Sequence, residues 1–239
     1  LLQISLSYCD GIEISGISFS NTKSWCISFD KCKNGHVHDL IITSNVKNGD
    51  GIDLRCGCNN FIVENISGST SDDTVACTAL KGTSPYTYPT GNYIFPIEPT
   101  KKFNDNYSMD ELSIHDVIIR NISTVGQHHG VILLSGDNLQ VYNISIDKII
   151  ESDDSGSREA LVKIYSGYGA TSSDNSIHDI RINDVKSKSA TYALLVVTKI
   201  NETWCNKISN EKVGGTNYSL SNSDGIIITN SWLTKADYS

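Results

Sequence analysis

The sequence predicts an all-β chain folded as a parallel β-helix, and three observations lead there. An apolar-x-apolar-x-x-apolar pattern recurs at Ile12/Ile14/Ile17, Phe61/Val63/Ile66, Val117/Ile119/Ile122, Ile144/Ile146/Ile149 and Ile180/Ile182/Val185, with weaker copies at Leu40/Ile42 and Ile226/Ile228. Most copies are preceded by a residue that tolerates left-handed geometry or bonds its own backbone: Gly11, Asp39, Asn60, Asp116, Asn143, Asp179 or Gly225. No stretch carries a sustained 3.6-residue apolar period capped at both ends, so long helices are not expected.

Each copy is followed by a polar turn and a second short strand: Cys26–Phe29, Gly51–Leu54, Thr74–Cys77, Val131–Leu134, Leu161–Ile164 and Leu194–Val197. Copies start 21 to 56 residues apart. Short strands repeating with no helix between them stack coil on coil, with parallel ladders ~4.8 Å apart and a narrow core of alternating inward residues. In a β-sandwich, Asp-Gly pairs would close hairpins between matched strands. Asp10-Gly11, Asp50-Gly51 and Asp224-Gly225 lead into strands instead. The expectation is one domain over residues 1–239, with coils missing before Leu1 because no cap is visible there. A Pro- and aromatic-rich insertion at residues 82–110 holds all four prolines and reads as a groove wall or as an arm on the solenoid flank.

Composition bounds the function. Apolar residues at 38% can build a core, and the net charge of −8 with no Lys/Arg stripe argues against a nucleic-acid partner. No apolar run approaches the ~20 residues that span a bilayer, so no membrane partner is expected. The seven cysteines complete no zinc spacing; they read as buried thiols stacked within the repeat, with one or two disulfides conceivable in an exported protein.

Chemistry concentrates between Asn48 and Leu80. In a solenoid, residues one coil apart are neighbours, so Asp50 and Asp72/Asp73 are expected about one rung, ~5 Å, from each other. His129 and then Lys163 are expected on the next rungs of the same column. Carboxylates that close cannot all ionise, and a proton-holding acid beside ionised partners suits glycosidic cleavage. Asp53, within its strand, is assigned to structure. His38-Asp39, His115-Asp116 and His178-Asp179 recur as repeat chemistry. The sequons at Asn65, Asn121 and Asn143 are read as turn or ladder positions. Asp153-Asp154-Ser155-Gly156 is read as a solvated loop.

The motifs Asn48-Gly49-Asp50-Gly51-Ile52-Asp53, Ser71-Asp72-Asp73, His128-His129-Gly130 and Val162-Lys163-Ile164-Tyr165 stand in the order of the polygalacturonase-type glycoside hydrolase signatures N-T-D-G-x-D, G-D-D, G-H-G and R-I-K. The chain resembles that family over about residues 8–190. The resemblance implies a right-handed parallel β-helix and inverting hydrolysis without metal or cofactor. It implies Asp72 as general acid, Asp50 and Asp73 as activators of water, His129 as support for the acid, and Lys163, Tyr165, Asn48 and His128 as substrate contacts. His128 replaces the family's Gly and is expected to crowd the groove. Lys163 replaces its Arg and Tyr165 its Lys, which with the net charge of −8 points to a substrate less anionic than polygalacturonate. Examples are a rhamnose-containing pectic segment or another uronic-acid glycan. Arg158, Lys81, Lys101 and Lys102 are candidates for restoring positive charge. An extracellular or periplasmic setting is expected. A calcium-dependent β-helix lyase and a non-catalytic carbohydrate-binding or adhesin solenoid are the alternatives.

Overall fold

In the computed structural model, residues 2–81, 106–166, 172–198, 200–220 and 226–229 are described. Their strands form two parallel sheets that run the length of a β-helix. The first stacks the short strands β1 (Ile4–Ser7), β4 (Ile27–Asp30), β6 (Ile52–Arg55), β8 (Val75–Ala79), β10 (Val131–Ser135), β12 (Ala160–Ser166), β14 (Tyr192–Val196) and β16 (Thr216–Leu220), in that order. The second stacks β2 (Asp10–Ser15), β5 (Lys33–Ser44), β7 (Asn59–Thr70), β9 (Ile114–Gly126), β11 (Val141–Glu151), β13 (Ile177–Ser187), β15 (Asn201–Asn210) and β17 (Ile226–Thr229), with β3 (Ser18–Phe19) beside β5. Every pairing is parallel, for example Ile66↔Ile122 and Ile149↔Val185.

The long strands are bent twice by residues in left-handed geometry five positions apart: Asn34/Asp39, Asn60/Asn65, Asp116/Asn121, Asn143/Lys148, Asp179/Asp184 and Glu202/Lys207. Asn and Asp accept this geometry because a short polar side chain can bond locally. Here it also bonds along the stack: Asn121 donates to Asn65 at 3.2 Å and Asn65 to Asp39 at 3.0 Å. In the later coils the ladder is made by the residues just before the left-handed ones, Asn206 donating to Asn183 at 2.9 Å and Asn183 to Asp147 at 2.6 Å. Asn65 and Asn121 of the sequons thus belong to a ladder, and Asn143 bonds Asp116.

Between the bends, inward residues form continuous columns: Phe61, Val117, Ile144 and Ile180 in one, Val37, Val63, Ile119, Ile146, Ile182 and Cys205 in the next, all at most 1% exposed. One copy is displaced from its expected register: Leu40/Ile42 pairs with Ile66/Gly68, not with Phe61/Val63. The true partner of Phe61 is Gly35, where a Cβ would come within 2.1 Å of the Phe61 ring. A glycine making room for a neighbour's ring carries no apolar signal, and the two bends look alike in sequence.

Cys9, Cys32 and Cys58 occupy one column by register, and all seven cysteines are free thiols, six of them buried. Residues 82–105 of the Pro- and aromatic-rich segment, with Lys101 and Lys102, lie outside the described residues. So does Asp224-Gly225. After residue 105 the chain forms a single-turn helix, α1 (Met109–Leu112), whose capping box pairs Ser108 with Glu111.

Candidate active site

The acids stand on the turn that leads from each long strand into the next short one. Extending the registers Ile52↔Val75↔Val131 two residues back puts Asp50, Asp73 and His129 in one column, with Asp72 beside them level with His128. Backbone bonds hold the turns together: Gly51 N–H to the Asp73 carbonyl at 2.8 Å and Thr74 N–H to the His129 carbonyl at 2.9 Å. Gly51 has no alternative, since a Cβ there would lie 2.5 Å from the Thr74 carbonyl oxygen. One carboxylate oxygen from each of Asp50, Asp72 and Asp73 falls within 4.8 Å of the others.

These carboxylates differ in their surroundings. Asp50 is 6% exposed, and its Oδ1 has no hydrogen-bond partner among the described residues. Burial first, then the charges of Asp53, Asp73 and Asp72, push its carboxyl up to about 11. Asp72 is raised by burial and by Asp73, against the pull of His128. Its side chain is 24% exposed and its Oδ1 lies 3.6 Å from His128 Nδ1. Asp73 Oδ1 meets His129 Nδ1 at 2.7 Å, and His129 Nε2 faces Glu159 Oε2 at 3.5 Å.

Four expectations need correcting. His129 bonds Asp73 and not Asp72, because the column pairs position 73 with 129 and position 72 with 128. Lys163 is not the next rung above His129. The pairing Val131↔Val162 gives that rung to Ala160 and sets Lys163 level with Ile132, Ala76 and Asp53. Asp53, assigned to structure, is 1% exposed, lines the same cleft and adds to the field on Asp50. Arg158 does not face the groove, being 1% exposed inside the coil, and its charge reaches Asp73 only from beneath.

The cleft holds about 580 Å³ and is lined by every expected site residue: Asn48, Asp50, Asp72, Asp73, His128, His129, Lys163 and Tyr165. Asn48 reaches it from a left-handed turn, at φ 54°. The Lys163 ammonium bonds Glu159 Oε2 at 2.5 Å and lies 5.8 Å from the centre of the Tyr165 ring. Ala76, Leu80, Ile132 and Leu134 form an apolar cluster packed against Tyr165. At the opposite end the Arg55 guanidinium lies over the Trp25 ring, 5.0 Å from its centre. Glu159, Trp25 and Arg55 were missed in the sequence, where none belongs to a motif.

Behind the acids lies a buried polar network. Arg158 Nη2 donates to the Thr74 and Thr124 hydroxyls at 3.2 and 3.1 Å, and Thr74 Oγ1 lies 2.9 Å from both Thr124 Oγ1 and Thr70 Oγ1. Thr70 in turn donates to the Asp72 carbonyl at 2.9 Å. Glu151, 0% exposed, stands 3.8 Å from the Arg158 Nε. Burial pushes the Glu151 carboxyl up, but bonds from the Ser189 hydroxyl, the Ser189 and Lys188 N–H groups and the Ser187 hydroxyl outweigh it and leave it below its ordinary value. Burial lowers Arg158 to about 10, opposed by Glu151 and Asp73, so it remains a cation at neutral pH. Gly130 is required here: a Cβ would lie 2.8 Å from Arg158 Nη1 and 2.9 Å from the Leu161 carbonyl oxygen.

Residues 2–87 match the family model for glycosyl hydrolases family 28, a stretch that includes Asp50, Asp72 and Asp73 and stops short of His129 and Lys163. No curated protein matches the chain in sequence. Among solved structures, a hyperthermoactive exopolygalacturonase from Thermotoga maritima aligns with a TM-score of 0.61 over 93% of this chain, at 14% identity. The chain spans 53% of that protein's length. At this identity the likeness is one of fold. The chain is thus similar to glycosyl hydrolases family 28 through the coils that carry its three clustered acids, on a parallel β-helix shared with an exopolygalacturonase.

Proposed function

We propose that the chain is a glycoside hydrolase that cleaves a pectic or related polysaccharide or oligosaccharide, uronic-acid or rhamnose-containing, by inverting acid/base hydrolysis. The observation that carries this reading is the cluster of three carboxyl groups with an oxygen each within 4.8 Å, of which the most buried keeps its proton. Asp72, raised and reachable from the cleft, protonates the leaving glycosidic oxygen. Asp73, oriented by His129, accepts the proton of the attacking water. Asp50 was expected as a second base; a group pushed up to about 11 acts instead as a neutral donor that orients the water. An extracellular or periplasmic setting fits a polymeric substrate.

Inversion rests on the family resemblance. The carboxylate oxygens stand closer than the ~6.5–9.5 Å usual for inverting pairs, so the anomer formed first, read by NMR, is a direct check; retention would overturn this part. The same three oxygens could hold a divalent cation, which favours the calcium-dependent lyase as second reading. Against it, Arg158 is buried and Lys163 is paired with Glu159, so neither is placed as an accessible base. A screen over pectic glycans decides between them. Hydrolysis releases reducing ends without unsaturated, UV-absorbing product and persists with chelator, whereas a lyase gives the unsaturated product and stops.

A further inference from the structure

Lys163, the cation expected to contact the substrate, is already paired. Lys163 Nζ bonds Glu159 Oε2 at 2.5 Å, and the same oxygen faces His129 Nε2 at 3.5 Å. We propose that Glu159 is a specificity-determining residue: its carboxylate stands where a uronate carboxylate would bind between Lys163 and His129, so the adjoining subsite takes a sugar ring that bears no carboxylate. This rests on the reading of the cleft as a glycan site and narrows it.

Three features agree. Lys163 holds Glu159 below the ordinary carboxyl range, so the plug is charged at neutral pH. Asp50 keeps its proton and Asp72 carries the one it donates, so the cleft sets Asp53 and Asp73 against Lys163 and Arg55. With Glu159 on Lys163, the described lining residues offer no surplus positive charge to draw in a further anion. Of the outward positions between the acids and Tyr165, Ala76, Ile132 and Leu134 are apolar, where a solvent-facing sheet would ordinarily carry polar side chains, and they adjoin Thr78 and Lys163 on the same rows. Such a floor suits the C–H face or methyl group of a neutral or 6-deoxy sugar, and its buried apolar surface offers a carboxylate no hydrogen bond. Specificity then comes as much from rejecting the uronate as from accepting its neighbour.

The test measures binding in the Asp72→Asn background, so that turnover does not consume the probes. Trigalacturonate is compared with a tetrasaccharide alternating galacturonate and rhamnose, with and without Glu159→Gln, by calorimetry. The expected result is that the chain with Glu159 prefers the alternating tetrasaccharide, and that Glu159→Gln tightens trigalacturonate by roughly tenfold while changing the other less than about twofold. A folded Glu159→Gln variant with an unchanged ratio of affinities overturns the proposal, as does a preference for trigalacturonate while Glu159 is present. Lys163→Met added to Glu159→Gln provides an independent arm: it should cancel the gain in trigalacturonate affinity, because Lys163 is the cation that Glu159→Gln uncovers. A gain that persists without the ammonium counts against the proposal. Binding of neither probe overturns the glycan-site reading itself, and this proposal with it, whereas binding of both without a Glu159 effect overturns only the latter.

Discussion

Replacing Asp50 by Asn should make the protein's stability less sensitive to rising pH. Folding raises the Asp50 carboxyl from 3.8 to about 11, so the stability it contributes is fully present below the unfolded value and is lost as pH climbs through the folded one. Between about pH 5 and pH 7 the unfolded side chain is ionised while the folded one keeps its proton. A full proton difference then costs ~1.4 kcal/mol per pH unit, or at most ~2.7 kcal/mol over that interval. The Asp50→Asn variant would carry no such dependence. Its amide, buried at a site where the Asp50 Oδ1 has no hydrogen-bond partner among the described residues, shifts stability by a constant, so the readout is the change with pH and not the offset. For a chain of 239 residues, 1 kcal/mol corresponds to roughly 2–4 °C in Tm. Melting the two proteins at both pH values should show Asp50→Asn gaining on the parent by several degrees as pH rises. Parallel behaviour, with the gap changing by less than ~0.5 kcal/mol, would show that the clustered carboxyls do not share a retained proton.

Other outcomes follow from the same geometry. Asp72→Asn should lower hydrolysis by roughly 10²–10⁴-fold with an unchanged far-UV spectrum, since only the proton donor is lost. Arg158→Met should destabilise by ~3–5 kcal/mol in urea unfolding, because Glu151 loses its buried countercharge; adding Glu151→Gln should recover part of that loss. Gly130→Ala forces a Cβ against Arg158 and the Leu161 carbonyl and should cost ~1–3 kcal/mol, with activity falling as the turn beneath His129 shifts.

The repeat and the acids were legible because both signals are local. A five-residue apolar spacing with Asn or Asp ahead of it can be read without knowing what packs against it, and the Asp50-to-Asp73 gap is one coil, with Asp72 beside it. Asp53 could also have been placed from the strand alone. Ile52 and Leu54 face inward, so the residue between them faces the cleft, on the ladder that carries Lys163. Register across unequal turns was less accessible. The coil from His129 to Ala160 is 31 residues (160 − 129), three fewer than the 34 (163 − 129) that would set Lys163 above His129, so Lys163 lies three positions further along its ladder. Arg158 and Glu159 show the limit most clearly. They are adjacent and both charged, yet one is 1% exposed beneath the acids while the other closes the cleft cation from outside. Gly126 and Gly130 leave room for the guanidinium, Thr74, Thr124 and Glu151 hold it inside, and Lys163 holds Glu159 outside, all of them contacts made only by the fold.

Everything proposed for the cleft depends on Asp72 being the proton donor of a hydrolase built on this cluster. The decisive assay is reducing-end release from a panel of pectic oligosaccharides by the parent chain and by Asp72→Asn, each with chelator present. The parent should release reducing ends without unsaturated product, and the folded variant should lose nearly all of that activity. Full activity in Asp72→Asn, or an unsaturated product that disappears with chelator, would rule this role out.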